Sequence, residues 1–141
     1  VLQYLESKGA NVKSEKAKDG YTCLMAACEG GALSTVQYLV EEKGCEVSER
    51  DEDGWTPALY ACSNGHLDVL QYLESRGVDV KSEKANSGYT CLMAACKGGS
   101  LSTVQYLVEE KGCEVSERDE DGWTPALYAC SNGHLDVLQY L

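Results

Sequence analysis

No stretch of this 141-residue chain approaches the roughly 20 consecutive apolar residues that a membrane-spanning helix needs. The opening run, VLQYLESKGANVKSEK, is charged and interrupted, without the apolar centre of a secretory signal. Cations are scarce: 12 Lys and Arg stand against 23 Asp and Glu, a formal charge of -11. That charge repels phosphate backbones and anionic lipid, so neither nucleic acid nor a membrane is an expected partner, and a basic peptide or protein face is favoured. Imidazoles number only two, His66 and His134. No Ser or Cys has a second His to orient a nucleophile, and there is no glycine-rich phosphate loop, C-x-x-C pair or clustered set of metal ligands. Catalysis, a metal and a cofactor are therefore not expected. The chain opens on Val and not Met, in the middle of an apparent helix, and is expected to be part of something longer.

What is present is repetition. The motif VLQYL begins at Val1, Val69 and Val137, a spacing of 68 residues. Residues 1–68 and 69–136 differ only at Lys8/Arg76, Ala10/Val78, Asn11/Asp79, Lys18/Asn86, Asp19/Ser87, Glu29/Lys97 and Ala32/Ser100. Each block is itself double, because Asp19-Gly20-Tyr21-Thr22 matches Asp53-Gly54-Trp55-Thr56, a spacing of 34 residues. Ser87-Gly88-Tyr89-Thr90 and Asp121-Gly122-Trp123-Thr124 continue the series. The expected organisation is one continuous body over 1–141, with full repeats at 19–52, 53–86 and 87–120 and partial ones at 1–18 and 121–141.

Within the unit that begins at Asp53, Asp-Gly signals a turn. Thr56 then supplies an N-cap hydroxyl and Pro57 fits the first helical position, predicting a short helix from Pro57 to about Ser63 that Asn64-Gly65 ends. A second helix follows through Leu67, Val69, Leu70 and Leu73, whose spacing places them on one face, and Gly77 stops it.

The run Gly-x-Thr-Pro, then Ala, then Asn-Gly-His-Leu, Val, Leu-x-Tyr-Leu and Gly-x-Asp-Val resembles the ankyrin repeat, and the resemblance covers essentially the whole chain. It implies an all-α solenoid: paired antiparallel helices with a short hairpin finger from each unit. Departures from the family pattern are specific. Met25, Leu59, Met93 and Leu127 replace the usual His after Thr-Pro-Leu, removing a hydrogen bond between repeats; Cys23 and Cys91 replace Pro. One extra residue sits in LVEEKG before Gly44 and Gly112 and another near Asn86, both expected in loops, where added length is tolerated.

A single unit has two flat apolar faces and must be covered by neighbours, so stability in such an array lies between units. Val1, Leu2 and Leu5 at one end match Val137, Leu138 and Leu141 at the other. Either the array continues on both sides, or copies stack head to tail into filaments.

The 8 cysteines follow the repeat. Cys28, Cys62, Cys96 and Cys130 replace a small residue of the first helix, and equivalent atoms in adjacent units lie about 10 Å apart, beyond the ~7 Å reach of a disulfide. They are expected to be buried thiols, which points to a reducing compartment, cytoplasm or nucleus, in keeping with the absence of any N-x-S/T acceptor. Helix tyrosines Tyr38, Tyr72, Tyr106 and Tyr140 have apolar-face spacing and are expected in the core.

What remains is a surface. In the ankyrin layout the aromatic positions Tyr21, Trp55, Tyr89 and Trp123 lie at the base of the fingers on the concave side. They either anchor a partner or pack on neighbouring hairpins. Fingers alternate in charge, EVSERDED against KSEKAK. Acidic fingers can simply pair with basic neighbours. Alternatively Trp55 with Glu49, Asp51 and Glu52, and Trp123 with Glu117, Asp119 and Glu120, form two equivalent pockets for a repetitive basic ligand. The expected function is a non-catalytic scaffold for a protein partner, the alternative a self-assembling filament or spacer.

Overall fold

The computed structural model describes residues 1–141. The chain is all-α: α1 (Leu2–Ser7), α2 (Cys23–Gly30), α3 (Leu33–Gln37), α4 (Pro57–Ser63), α5 (Leu67–Ser75), α6 (Cys91–Gly98), α7 (Leu101–Gln105), α8 (Pro125–Ser131) and α9 (Leu135–Tyr140). π-Helical segments Tyr38–Glu42 and Tyr106–Glu110 prolong α3 and α7. The first helices of successive units stack, α4 between α2 and α6, and α6 between α4 and α8. The second helices lie behind them.

The helix starts follow from local chemistry. Thr22, Thr56, Thr90 and Thr124 hold extended backbone, and their hydroxyls accept from the amides of Met25, Leu59, Met93 and Leu127 at 3.1 to 3.4 Å. Pro57 and Pro125 occupy the first turn of α4 and α8, where no amide is needed. Where Cys stands instead, a substitute device closes the cap: the Met25 and Met93 thioethers accept from the backbone N–H of Thr22 and Thr90 at 3.5 Å. The residue that replaces the family His thus returns a bond to its own helix start.

The expected loop position of the extra residue before Gly44 and Gly112 is corrected. It is absorbed inside the second helix, where Lys43 N–H reaches the Tyr38 carbonyl and Lys111 N–H that of Tyr106, both at 3.3 Å. A π-turn takes up one residue without shifting the residues before it, so Val36 and Leu39 stay in the core with Val104 and Leu107.

The core is one band of buried residues running through every unit, with Leu24, Leu59, Leu70, Leu73, Leu92 and Leu107 almost wholly enclosed. Between units, Asn64 Nδ2 and His66 Nε2 both donate to the Glu29 carbonyl at 2.9 and 3.0 Å, and Asn132 and His134 repeat the clamp on Lys97. The His66 ring lies over Gly31, whose φ of +72° is left-handed. A Cβ there would come 2.7 Å from the imidazole Cγ, so only glycine meets both demands.

The outer tyrosines border the core without being enclosed in it, Tyr72, Tyr106 and Tyr140 packing against it. They are half-buried and form a second ladder: Tyr38 donates to Glu6 at 2.5 Å, and Tyr72 to Glu41 and Tyr106 to Glu74 at 2.6 Å. Lys43 and Lys111 pair with the same Glu6 and Glu74 at 2.8 Å. Each rung ties one unit to the preceding one.

All 8 cysteines are free. Cys28, Cys62 and Cys96 are buried as expected, whereas Cys130 is exposed because no unit covers α8. One contact falls outside the equivalent-position reasoning. Cys91, at the start of α6, hydrogen-bonds Cys62 of α4; that bond, with burial, keeps its thiol protonated well above the usual cysteine range.

Candidate interaction face

Two of the fingers are tight turns built around one acid, Asp51 or Asp119, where the other two have Ala17 and Ala85. Asp51 Oδ1 accepts from the amides of Asp53 and Trp55 at 3.0 and 2.9 Å, and its Oδ2 accepts from the Tyr60 hydroxyl at 2.5 Å. Asp119 repeats this with the amides of Asp121 and Trp123 at 3.0 and 2.9 Å and with the Tyr128 hydroxyl. Burial pushes the Asp119 carboxyl up, but the Tyr128 hydroxyl and the two amides outweigh it and hold its pKa below the usual aspartate value. The Tyr60 and Tyr128 hydroxyls are correspondingly pushed up, by burial first and then by Asp51 and Asp119.

Fingers join their neighbours through the backbone. Glu52 N–H donates to the Asp19 carbonyl, Asn86 to Asp53 and Glu120 to Ser87, at 2.7 to 3.0 Å. Isolated antiparallel bridges, Lys16 with Thr22 and Lys84 with Thr90, are the only β pairing. Across fingers Lys16 pairs with Glu49 and Lys84 with Glu117, and Arg50 lies 3.6 Å from Glu83.

At the base of the fingers the rings form a continuous ladder. Tyr21 meets Tyr60 edge-on at 5.2 Å, Tyr60 meets Trp55 at 4.9 Å, and Trp55 stacks on Tyr89 at 5.3 Å with planes 27° apart. Tyr89 meets Tyr128 edge-on at 5.1 Å, and Tyr128 meets Trp123 at 5.0 Å. Tyr60 and Tyr128 are not among the residues expected here, although each joins the Tyr and Trp of successive fingers and supplies one ring in three. Their signal is that the matching positions in α2 and α6 are Ala26 and Ala94, small enough to leave room for a ring from the next unit.

The structure therefore places Tyr21, Trp55, Tyr89 and Trp123 on one face, with Tyr89 enclosed, Tyr21 and Trp55 half-buried and Trp123 exposed. Asp51 and Asp119 face inward and serve the turns, and Glu49 and Glu117 are paired with lysines. Glu52 and Glu120 are exposed at the finger tips. At the ends, Val1 and Leu5 are exposed and Leu2 half-buried, while Val137 is buried, Leu141 half-buried and Leu138 exposed.

Stacked helix pairs with turn-borne fingers define a helical-repeat solenoid. A family model described as ankyrin repeats (3 copies) matches residues 1–84 and again 76–141, and the chain belongs to the ankyrin repeat family. No curated protein matches it. Ankyrin repeats generally mediate protein–protein interaction. No helix is long and apolar enough to cross a membrane.

Proposed function

We propose that this chain is a non-catalytic scaffold that holds a protein or peptide through its concave face and fingers, and that it works in a reducing compartment, cytoplasm or nucleus. The observation that carries the reading is the six-ring ladder at the base of the fingers. Aromatic side chains offer large contact area with few torsions to freeze, which is why they anchor interfaces. This ladder supplies such a surface already ordered by its own stacking.

Charge favours a partner with basic residues. The exposed Glu52 and Asp53 on one finger and Glu120 and Asp121 on another add to an overall charge of -11. They steer a cationic segment toward the rings more than they hold it there. Of the expected pocket residues, Trp55 with Glu52 and Trp123 with Glu120 remain open to a ligand. Asp51 and Asp119 act by shaping the turns, and Glu49 and Glu117 are taken up by Lys16 and Lys84 of neighbouring fingers. Partners captured on the intact chain should be lost from the Trp55→Ala/Trp123→Ala variant while its circular dichroism is unchanged. Retained affinity in a folded variant would eliminate this face.

A second reading, end-to-end association of copies, is favoured by the last helices. Leu127 and Leu138 are 44% and 38% exposed, whereas their counterparts Leu59 and Leu70 inside the array are fully buried. Filaments would make the light scattered per unit mass rise with concentration, and Leu2→Lys with Leu138→Lys would abolish that rise. A scattering per unit mass that stays constant up to high concentration, or a rise indifferent to these changes, would remove this reading.

A further inference from the structure

The two halves of the chain form an internal control for the concave face. Of the positions at which they differ, only Glu29/Lys97 reverses charge. In the first half the Tyr21 hydroxyl donates to Glu29 Oε1 at 2.6 Å. In the second half Tyr89 holds the same place in the same turn, but the residue opposite is a lysine, which has no acceptor to offer. The Tyr89 hydroxyl has no hydrogen-bond partner, unlike those of Tyr21, Tyr60 and Tyr128.

Tyr89 is only 7% exposed, held between Trp55 and Tyr128. No fully enclosed side-chain nitrogen or oxygen in the protein lacks a partner, so the small exposed part of Tyr89 includes its oxygen. A nearly buried donor thus opens onto the groove unsatisfied. Lys97, exposed on the last turn of α6, takes part in none of the ion pairs. An O–H donor and an ammonium on one side of a groove, where the sister site holds a carboxylate, are complementary to a carboxylate.

We propose that Tyr89 and Lys97 receive an aspartate or glutamate side chain of the bound peptide, seated where Glu29 sits in the first half. This rests on the reading that partners enter by the concave face, and it adds a direction. Glu29, two units and about 20 Å away at usual helix spacings, has a second carboxylate oxygen free for a cation. The partner then lies along the groove with its acidic residue toward α6 and a basic one toward α2. Such a segment remains compatible with the acidic finger tips, which face its flanks.

The test is selection of random linear peptides displayed on phage against the immobilised 141-residue chain. Recovered peptides are resynthesised and titrated by fluorescence anisotropy. The expected result is a shared Asp or Glu, with affinity falling about tenfold in Lys97→Glu and severalfold in Tyr89→Phe, in line with a charge-assisted bond. Lys97→Glu recreates the Tyr21–Glu29 arrangement, and Tyr89→Phe keeps the ring stack, so neither change disturbs the fold. Peptides that lack a shared acid, or that bind Lys97→Glu as tightly, overturn the carboxylate site while leaving the groove reading intact. Failure to recover any peptide, or recovery only of peptides indifferent to Trp55→Ala/Trp123→Ala, overturns the groove reading and this inference with it.

Discussion

Gly30 and Gly98 are the same residue of the same helix in the two halves, yet alanine should do opposite things at them. A Cβ on Gly98 would overlap the Ser63 carbonyl oxygen and come within 3.2 Å of its carbon, because the ends of α6 and α4 press together. A Cβ on Gly30 meets nothing within 4 Å. Backbone cannot swing aside as a side-chain tip can, so Gly98→Ala must push two units apart, at ~1 to 3 kcal/mol for an overpacked contact. Gly30→Ala instead gains from reduced freedom of the unfolded chain and better helix propensity, up to ~0.5 to 1 kcal/mol at this helix end. The two variants should therefore differ by about 1 to 3 kcal/mol in urea unfolding followed by circular dichroism. Since the intrinsic gain from Gly→Ala is shared, the difference reports only the packing of one unit on the next. Equal shifts for the two variants would refute the close approach of α4 and α6.

Three further outcomes follow from the same contacts. Tyr106→Phe should cost about 0.5 to 1 kcal/mol through the lost bond to Glu74, and a double-mutant cycle with Glu74→Ala, which removes the acceptor, should recover most of it as coupling. The Asp119 carboxyl has a folded pKa below its unfolded value of 3.8, so its contribution is present above that pH and is lost as pH falls through the folded value. Asp119→Asn should flatten the acid limb of a stability-versus-pH profile below about pH 4, and an unchanged limb would contradict the finger geometry. In native protein Cys130 should react with a thiol reagent first. Cys28 and Cys96, buried and pushed up to about 12, and Cys113, pushed up to about 11, should wait for opening of the chain.

Local devices were readable from residues alone. The helix Pro57–Ser63 begins and ends where Thr56-Pro57 and Asn64-Gly65 place it, because caps act within one turn. The extra residue before Gly44 leaves no local mark that separates a loop from a π-turn, and only the Lys43-to-Tyr38 bond places it in the helix. The ring ladder was half legible: Tyr21 and Trp55 share a motif, but Tyr60 joins them only through contact with another unit. The same holds for Tyr38 and Glu6, and for Cys62 and Cys91, which pair at non-equivalent positions across a junction. Asp51 is expected in a pocket with Trp55 for a basic ligand, yet its carboxylate serves the turn. Its spacing to Gly54 is that of a turn acid, whose side chain serves the amides that follow. What sequence could not supply was which acids the fold itself consumes.

The central claim is that each unit owes its structure to its neighbours. Far-ultraviolet circular dichroism of a peptide spanning residues 53–86, beside that of the whole chain, tests it directly. The account predicts a helical, cooperatively melting spectrum for residues 1–141 and a disordered one for the single unit. Native-like helicity with a cooperative melt in the isolated peptide would contradict it.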